Sequence, residues 1–223
     1  MIIGILGGMG TYATIHVFEQ YAKIFPAIKE WERPRIIIDN NCVMPSRVRA
    51  FLENYKKDEL IDEMFNSLKL LKNAGCEKII LACNTSHLFL EEIFNKDQEL
   101  KQLVVNIIDE TIKEINKNKI DKLFLLATEG TIKSCIYQKK LNKQIIIPSD
   151  EELKIVRNCI EAVKTNKITE TVKLDFINLI KEHDNIILGC TELPIIYNKC
   201  SINDKMIFDP IEITLKHIKY ENK

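Results

Sequence analysis

The sequence predicts an α/β protein of two pseudo-symmetric lobes. Each lobe is a parallel four-stranded sheet flanked by helices, and the active site lies in the cleft between them. Three observations carry the prediction. Four short segments recur in the same order in both halves of the 223 residues. Each segment is rich in Ile, Leu and Val with little polar alternation, the pattern of strands covered on both faces. Helical spacing fills the gaps, and strands alternating with helices make βαβ units.

The elements follow in order. Ile5 to Thr11, ending Gly10-Thr11, is echoed by Leu125 to Thr131, ending Gly130-Thr131. Ile36-Ile37-Ile38 is echoed by Ile145-Ile146-Ile147. Leu60, Ile61, Met64, Phe65, Leu68 and Leu71 recur at helical spacing and stop at Ala74-Gly75, a C-cap candidate. Lys78 to Thr85 is matched by Asn185 to Glu192, which sets Cys83 and Cys190 107 positions apart. Asn106-Ile107-Ile108-Asp109 reads as a further buried strand, echoed by Met206-Ile207-Phe208-Asp209. Leu153, Val156, Ile160 and Val163 mark a helix after Ser149-Asp150, an N-cap candidate, and Leu174, Ile177 and Ile180 mark another. The pattern from Ile211 to Ile218 is a final helix expected to pack on the first lobe and tie the two together. The lobes are therefore residues 1–107 plus 209–223, and residues 108–208.

Composition narrows the function. The 32 Lys and Arg balance 32 Asp and Glu, so there is no long-range attraction to nucleic acid or an anionic membrane. No apolar run approaches the ~20 residues of a membrane helix. No basic residue precedes Lys23, so no signal peptide is expected. Seven Cys with no CxxC point to reduced thiols in the cytoplasm, and no HExxH or CxxC spacing suggests a metal.

Cys83 and Cys190 each end a strand and precede a helix. Ligands of open parallel sheets bind beyond such strand ends. A helix start offers N–H groups and a positive dipole end, which bind a carboxylate and lower a thiol pKa from ~8.5 toward neutrality. Asn84, Thr85 and Thr191 add short donors at the same turns. Two thiols facing one cleft suit removal of a proton from one face of a carbon and delivery to the other. A cysteine taken singly usually packs, and Cys42, Cys76, Cys135, Cys159 and Cys200 are read that way.

The chain resembles the cofactor-independent aspartate/glutamate racemase family, in its aspartate racemase branch. The resemblance lies in Gly4-Ile5-Leu6-Gly7-Gly8-Met9-Gly10, Asn40-Asn41 with Pro45 and Arg47, and Cys83-Asn84-Thr85-Ser86-His87. It continues in Ala127-Thr128-Glu129-Gly130-Thr131, Tyr137, Lys164 and Gly189-Cys190-Thr191-Glu192. It implies interconversion of L- and D-amino acids without pyridoxal phosphate, with Cys83 and Cys190 as proton donor and acceptor. It implies that Asn84, Thr85 and Thr191 hold the α-carboxylate, and that Met9 and its loop, Gly10 and Thr11, line the cleft. Arg47 and Lys164 would neutralise a side-chain carboxylate, which needs pairing once desolvated. Thr128 and Glu192 join the expected substrate contacts, and the resemblance suggests a homodimer. Thr11, Cys42 and Ser46 stand where the family usually has Pro, Pro and Asp, all on the substrate-side loops.

Other readings compete. Gly8-x-Gly10-x-x-Ala13 fits a dinucleotide fingerprint, although its acidic partner Asp39 comes late. Two lobes around a cleft also describe amino-acid binding proteins. Hydantoin racemases, maleate isomerases and decarboxylases reuse the same cysteine turns. His87, four residues after Cys83, raises a Cys/His hydrolase, but packing or capping is the expectation there, as for His16, His183 and His217.

Overall fold

The computed structural model describes residues 1–221. The chain runs β1 (Ile2–Gly7), α1 (Thr11–Ile24), β2 (Arg35–Asn40), α2 (Arg47–Glu53), α3 (Lys57–Asn73), β3 (Lys78–Leu81), α4 (Leu90–Lys96), α5 (Leu100–Leu103) and β4 (Val104–Val105). It continues through α6 (Ile107–Asn116), β5 (Lys122–Ala127), α7 (Glu129–Ser134), β6 (Gln144–Ile146), α8 (Asp150–Lys164) and α9 (Glu170–Ile180). β7 (Asn185–Gly189), α10 (Leu193–Tyr197), β8 (Met206–Phe208) and α11 (Pro210–Glu221) complete it.

Two parallel four-stranded sheets result, ordered β2-β1-β3-β4 and β6-β5-β7-β8. The order reverses direction between β1 and β3, and again between β5 and β7. The crevice beyond the carboxyl ends of such a strand pair is where ligands bind. Both cysteine turns sit there.

Side-chain alternation explains why the strands read as continuous apolar runs. Leu6, Ile79 and Leu81 enter a core made only of first-half residues, under α3 and α4. Phe124, Leu126, Ile186 and Leu188 enter a second-half core under α8 and α9. The opposite faces, Ile3, Ile5 and Ile80 from one sheet and Leu123, Leu125 and Ile187 from the other, share a third core with α1, α6 and α11. Each strand is thus covered on both sides, and the two sheets are joined through one common apolar layer. α11 packs against α1 and α6, and Lys78 in β3 pairs with Glu221 at its end at 3.1 Å. Of the first-lobe assignment to 209–223, residues 222 and 223 lie outside the described residues.

One expected strand is corrected. Asn106-Ile107-Ile108-Asp109 is a helix start, and β4 is confined to Val104–Val105. The Asn106 side chain accepts from the N–H groups of Ile108 (3.0 Å) and Asp109 (3.3 Å), an N-cap. Ile107 and Ile108 are apolar because α6 buries them in the shared core. The structural counterpart of Asn106 is Asp209, which follows β8 and accepts from the N–H groups of Ile211 (2.9 Å) and Glu212 (3.4 Å) at the start of α11. Other boundaries lie close to the sequence reading. α3 stops at Ala74, with Gly75 at φ +80°, and Ser149 caps α8 in a reciprocal bond pair with Glu152.

Candidate active site

The site begins where two apolar strands end. After β3 the chain turns through Cys83 into a single 3-10 turn, Thr85–Phe89. Ser86 Oγ and His87 Nδ1 both bond to the Cys83 carbonyl, at 2.7 and 2.9 Å, and fix the backbone that carries the thiol. The Ile107 N–H donates to His87 Nε2 at 3.4 Å, so the neutral ring donates through Nδ1. Burial pushes His87 down to about 4. The ring therefore caps a carbonyl as a neutral group, and a Cys/His hydrolase finds no base in it.

After β7 the chain turns through Cys190, Thr191 and Glu192 into α10. Cys190 is buried, and its thiol donates to Glu192 Oε2 at 3.0 Å. Burial first, and then the Glu192 carboxylate, hold the Cys190 thiol well above its ordinary value. The sequence reading expected the opposite direction. The helix after each cysteine is only five residues long, so the dipole is short, while a carboxylate stands beside the sulfur.

Contacts across the lobes close the base of the cleft. Thr191 Oγ1 donates to the Ala82 carbonyl at 3.1 Å. Thr85 Oγ1 meets Thr128 Oγ1 at 2.8 Å and Thr131 Oγ1 at 3.0 Å. The Tyr137 hydroxyl donates to Asn84 Oδ1 at 2.6 Å. These bonds bring both cysteine turns to one cavity of about 60 Å³, lined by Met9, Arg47, Cys83, Asn84, Thr85, Thr128, Lys164, Cys190, Thr191 and Glu192. Ser46, Val48, Ile160 and Gly189 complete the wall.

Two expected residues stand outside it. Gly10 does not line the cavity; it leaves room for Glu192, whose Oε1 occupies the space an added Cβ would need. Thr11 opens α1 and points away, its hydroxyl 3.4 Å from Cys42 Sγ. The glycine loop holds a carboxylate where a dinucleotide fingerprint would hold phosphate, and like charges there disfavour a nicotinamide cofactor.

The electrostatics are uneven around the cavity. The Arg47 guanidinium donates to the carbonyls of Met9 (2.8 Å) and Pro45 (3.1 Å). The Lys164 ammonium lies 3.1 Å from Glu161. Burial lowers Lys164, but Glu192, Glu161 and Cys190 outweigh it and hold the ammonium above its ordinary range. Among the described residues, four buried side-chain polar atoms lack a partner: Arg47 Nε, Asn84 Nδ2, Glu192 Oε1 and Gln138 Oε1. The first three belong to residues lining this cavity. Two spare donors and one spare acceptor in one small space match a zwitterion. No group of three or more His, Cys, Asp or Glu is placed to hold a metal among the described residues. Within them, no helix is long and apolar enough to cross a membrane.

The sequence reading passed over Thr131 and the bond between Cys190 and Glu192. The echo of Gly10-Thr11 in Gly130-Thr131 was the signal for Thr131; the bond has no sequence signal beyond proximity.

Two parallel four-stranded sheets that each end a strand in a cysteine turn at one shared cavity define an α/β class with its site between the sheets. A family model described as Asp/Glu/Hydantoin racemase matches residues 6–218. The chain belongs to that family and is an amino-acid racemase. It is 33% identical over 202 residues to the broad-specificity amino-acid racemase RacX of Bacillus subtilis, covering 86% of each chain. The aspartate racemase of Picrophilus torridus superposes with a TM-score of 0.85 at 29% identity, over 99% of this chain and 93% of that one. An aspartate racemase homologue from Pyrococcus horikoshii gives 0.74 at 27% identity, over 99% of both.

Proposed function

We propose that this racemase interconverts L- and D-aspartate, or a close acidic analogue such as glutamate, by a two-base reaction. The observation that carries the reading is the single cavity to which each lobe contributes one thiol. Cys83, entering as the thiolate, takes the α-proton from one face of the carbon and becomes the thiol, while Cys190 delivers its S–H proton to the other face and is left as the thiolate. Burial and Glu192 keep the proton on Cys190, so that thiol enters as the donor. In the reverse direction Cys190 must first be a thiolate, and Glu192 Oε2 at 3.0 Å is positioned to receive its proton.

The cavity's spare groups distribute over the substrate. Asn84 Nδ2 donates to the α-carboxylate and stabilises charge building there as Cα loses its proton. Thr85, Thr128 and Thr191 are engaged with one another or with the main chain, so they shape the pocket more than they bind. Glu192 Oε1 accepts from the ammonium. Arg47 Nε and Lys164 stand for a side-chain carboxylate. Likeness to aspartate racemases supports that last assignment.

The test is incubation of L-aspartate with the protein alone in D2O. The expected result is deuterium at Cα together with decay of optical rotation. Absence of exchange for both aspartate and glutamate contradicts the proposal.

A further inference from the structure

We infer that the cysteine cavity continues into a second chamber that receives neutral, apolar amino-acid side chains, so that the enzyme also turns over methionine-like substrates. The inference rests on the racemase reading above and extends its substrate class.

The cysteine cavity, at about 60 Å³, is small beside ligand pockets of ~300 Å³ and above. A chamber of about 220 Å³ adjoins it between α2 of the first half and α8 of the second. The two spaces share Ser46, Val48, Thr128, Ile160 and Lys164 as wall residues, so these five side chains form the boundary between them. Taken together they approach the size of an ordinary ligand pocket.

The chamber's chemistry selects its occupant. Leu153, Val156 and Ile160 lie on one face of α8 at helical spacing, and Val48 of α2 stands across from them. The charges around this apolar surface are already matched within the protein. Arg157 pairs with Glu129, Lys164 with Glu161 at 3.1 Å and Arg49 with Glu53 at 3.0 Å. A neutral side chain entering here strands no ion and covers apolar wall, which favours binding by about fourfold per methylene. Aspartate, with its carboxylate held at Arg47 and Lys164, stops short of Leu153. That residue lines the chamber and not the cysteine cavity.

The experiment compares α-deuterium exchange of L-methionine and L-aspartate by the full chain and by Leu153→Trp, which fills the chamber. The expected result is exchange of both by the wild type. In Leu153→Trp, methionine kcat/KM falls at least tenfold while aspartate stays within twofold. Should Leu153→Trp not fold, Leu153→Ala is expected to raise KM for methionine severalfold and leave aspartate unchanged. Exchange of aspartate without methionine by the wild type, or equal loss of both substrates in the folded variant, overturns the chamber while leaving the racemase reading intact. Exchange of neither overturns the chamber, and glutamate run alongside then decides the acidic-substrate reading, which falls if glutamate also fails to exchange.

Discussion

Tyr137→Phe removes one oxygen, bonded to the residue that follows Cys83, and tests how the carboxylate donor is held. Tyr137 is completely buried, and burial pushes its phenol above the ordinary value, so it remains a donor at any working pH. Its 2.6 Å bond to Asn84 Oδ1 fixes the amide and leaves Nδ2 for ligand. Without the hydroxyl, a buried carbonyl oxygen loses its donor at a cost of about 1–3 kcal/mol. For a chain of this length each kcal/mol lowers Tm by about 2–4 °C, so calorimetry should record a fall of about 5 °C. The freed amide can also turn its oxygen toward the substrate carboxylate. Racemisation kcat/KM should then drop about tenfold, equivalent to about 1.4 kcal/mol. A lowered Tm with wild-type kcat/KM would refute the positioning of Asn84. An unchanged Tm would refute the bond itself.

Three further outcomes follow from the same geometry. Gly10→Ala places a Cβ where Glu192 Oε1 now lies, so the carboxylate must move away from Cys190; racemisation is expected to fall at least tenfold, and wild-type kinetics would argue against any role for that pair. Arg47→Ala should lower kcat/KM for aspartate at least tenfold more than for alanine, measured by the same exchange assay, and equal losses would remove the side-chain contact. Burial raises Asp209 to about 7, above its unfolded value. Its contribution to stability is therefore full below ~4 and is lost as pH rises through about 7. Asp209→Asn keeps the cap and should remove that decline, so the Tm difference between variant and wild type grows in the variant's favour from pH 4 to 7; a constant difference would contradict the shift.

Much of the architecture was legible because buried parallel strands advertise themselves. Ile36, Ile79, Leu125 and Ile186 lie in runs with no polar face, and the echo between halves placed the two cysteine turns at equivalent strand ends. Asn106 to Asp109 misled for the same reason. Two adjacent isoleucines entering a shared core look alike in a strand or in the first turn of a helix, and only the Asn106 cap distinguishes them. Arg47 and Lys164 came from family likeness, since an isolated cation has no local pattern; the fold brings them together from α2 and α8. Thr11 was expected at the cleft together with the Met9 loop through family likeness; α1 begins there, and its hydroxyl lies 3.4 Å from Cys42 Sγ. The direction of the Cys190 shift has no sequence signal, because it depends on how deeply the sulfur is buried and on a carboxylate 3.0 Å away.

The division of labour between the sulfurs is tested most directly by following aspartate in D2O with Cys83→Ala and Cys190→Ala. Loss of either thiol should abolish racemisation by at least 100-fold, since each variant leaves one face of Cα without a proton donor or acceptor. Racemisation at the wild-type rate in either variant would contradict the two-base account.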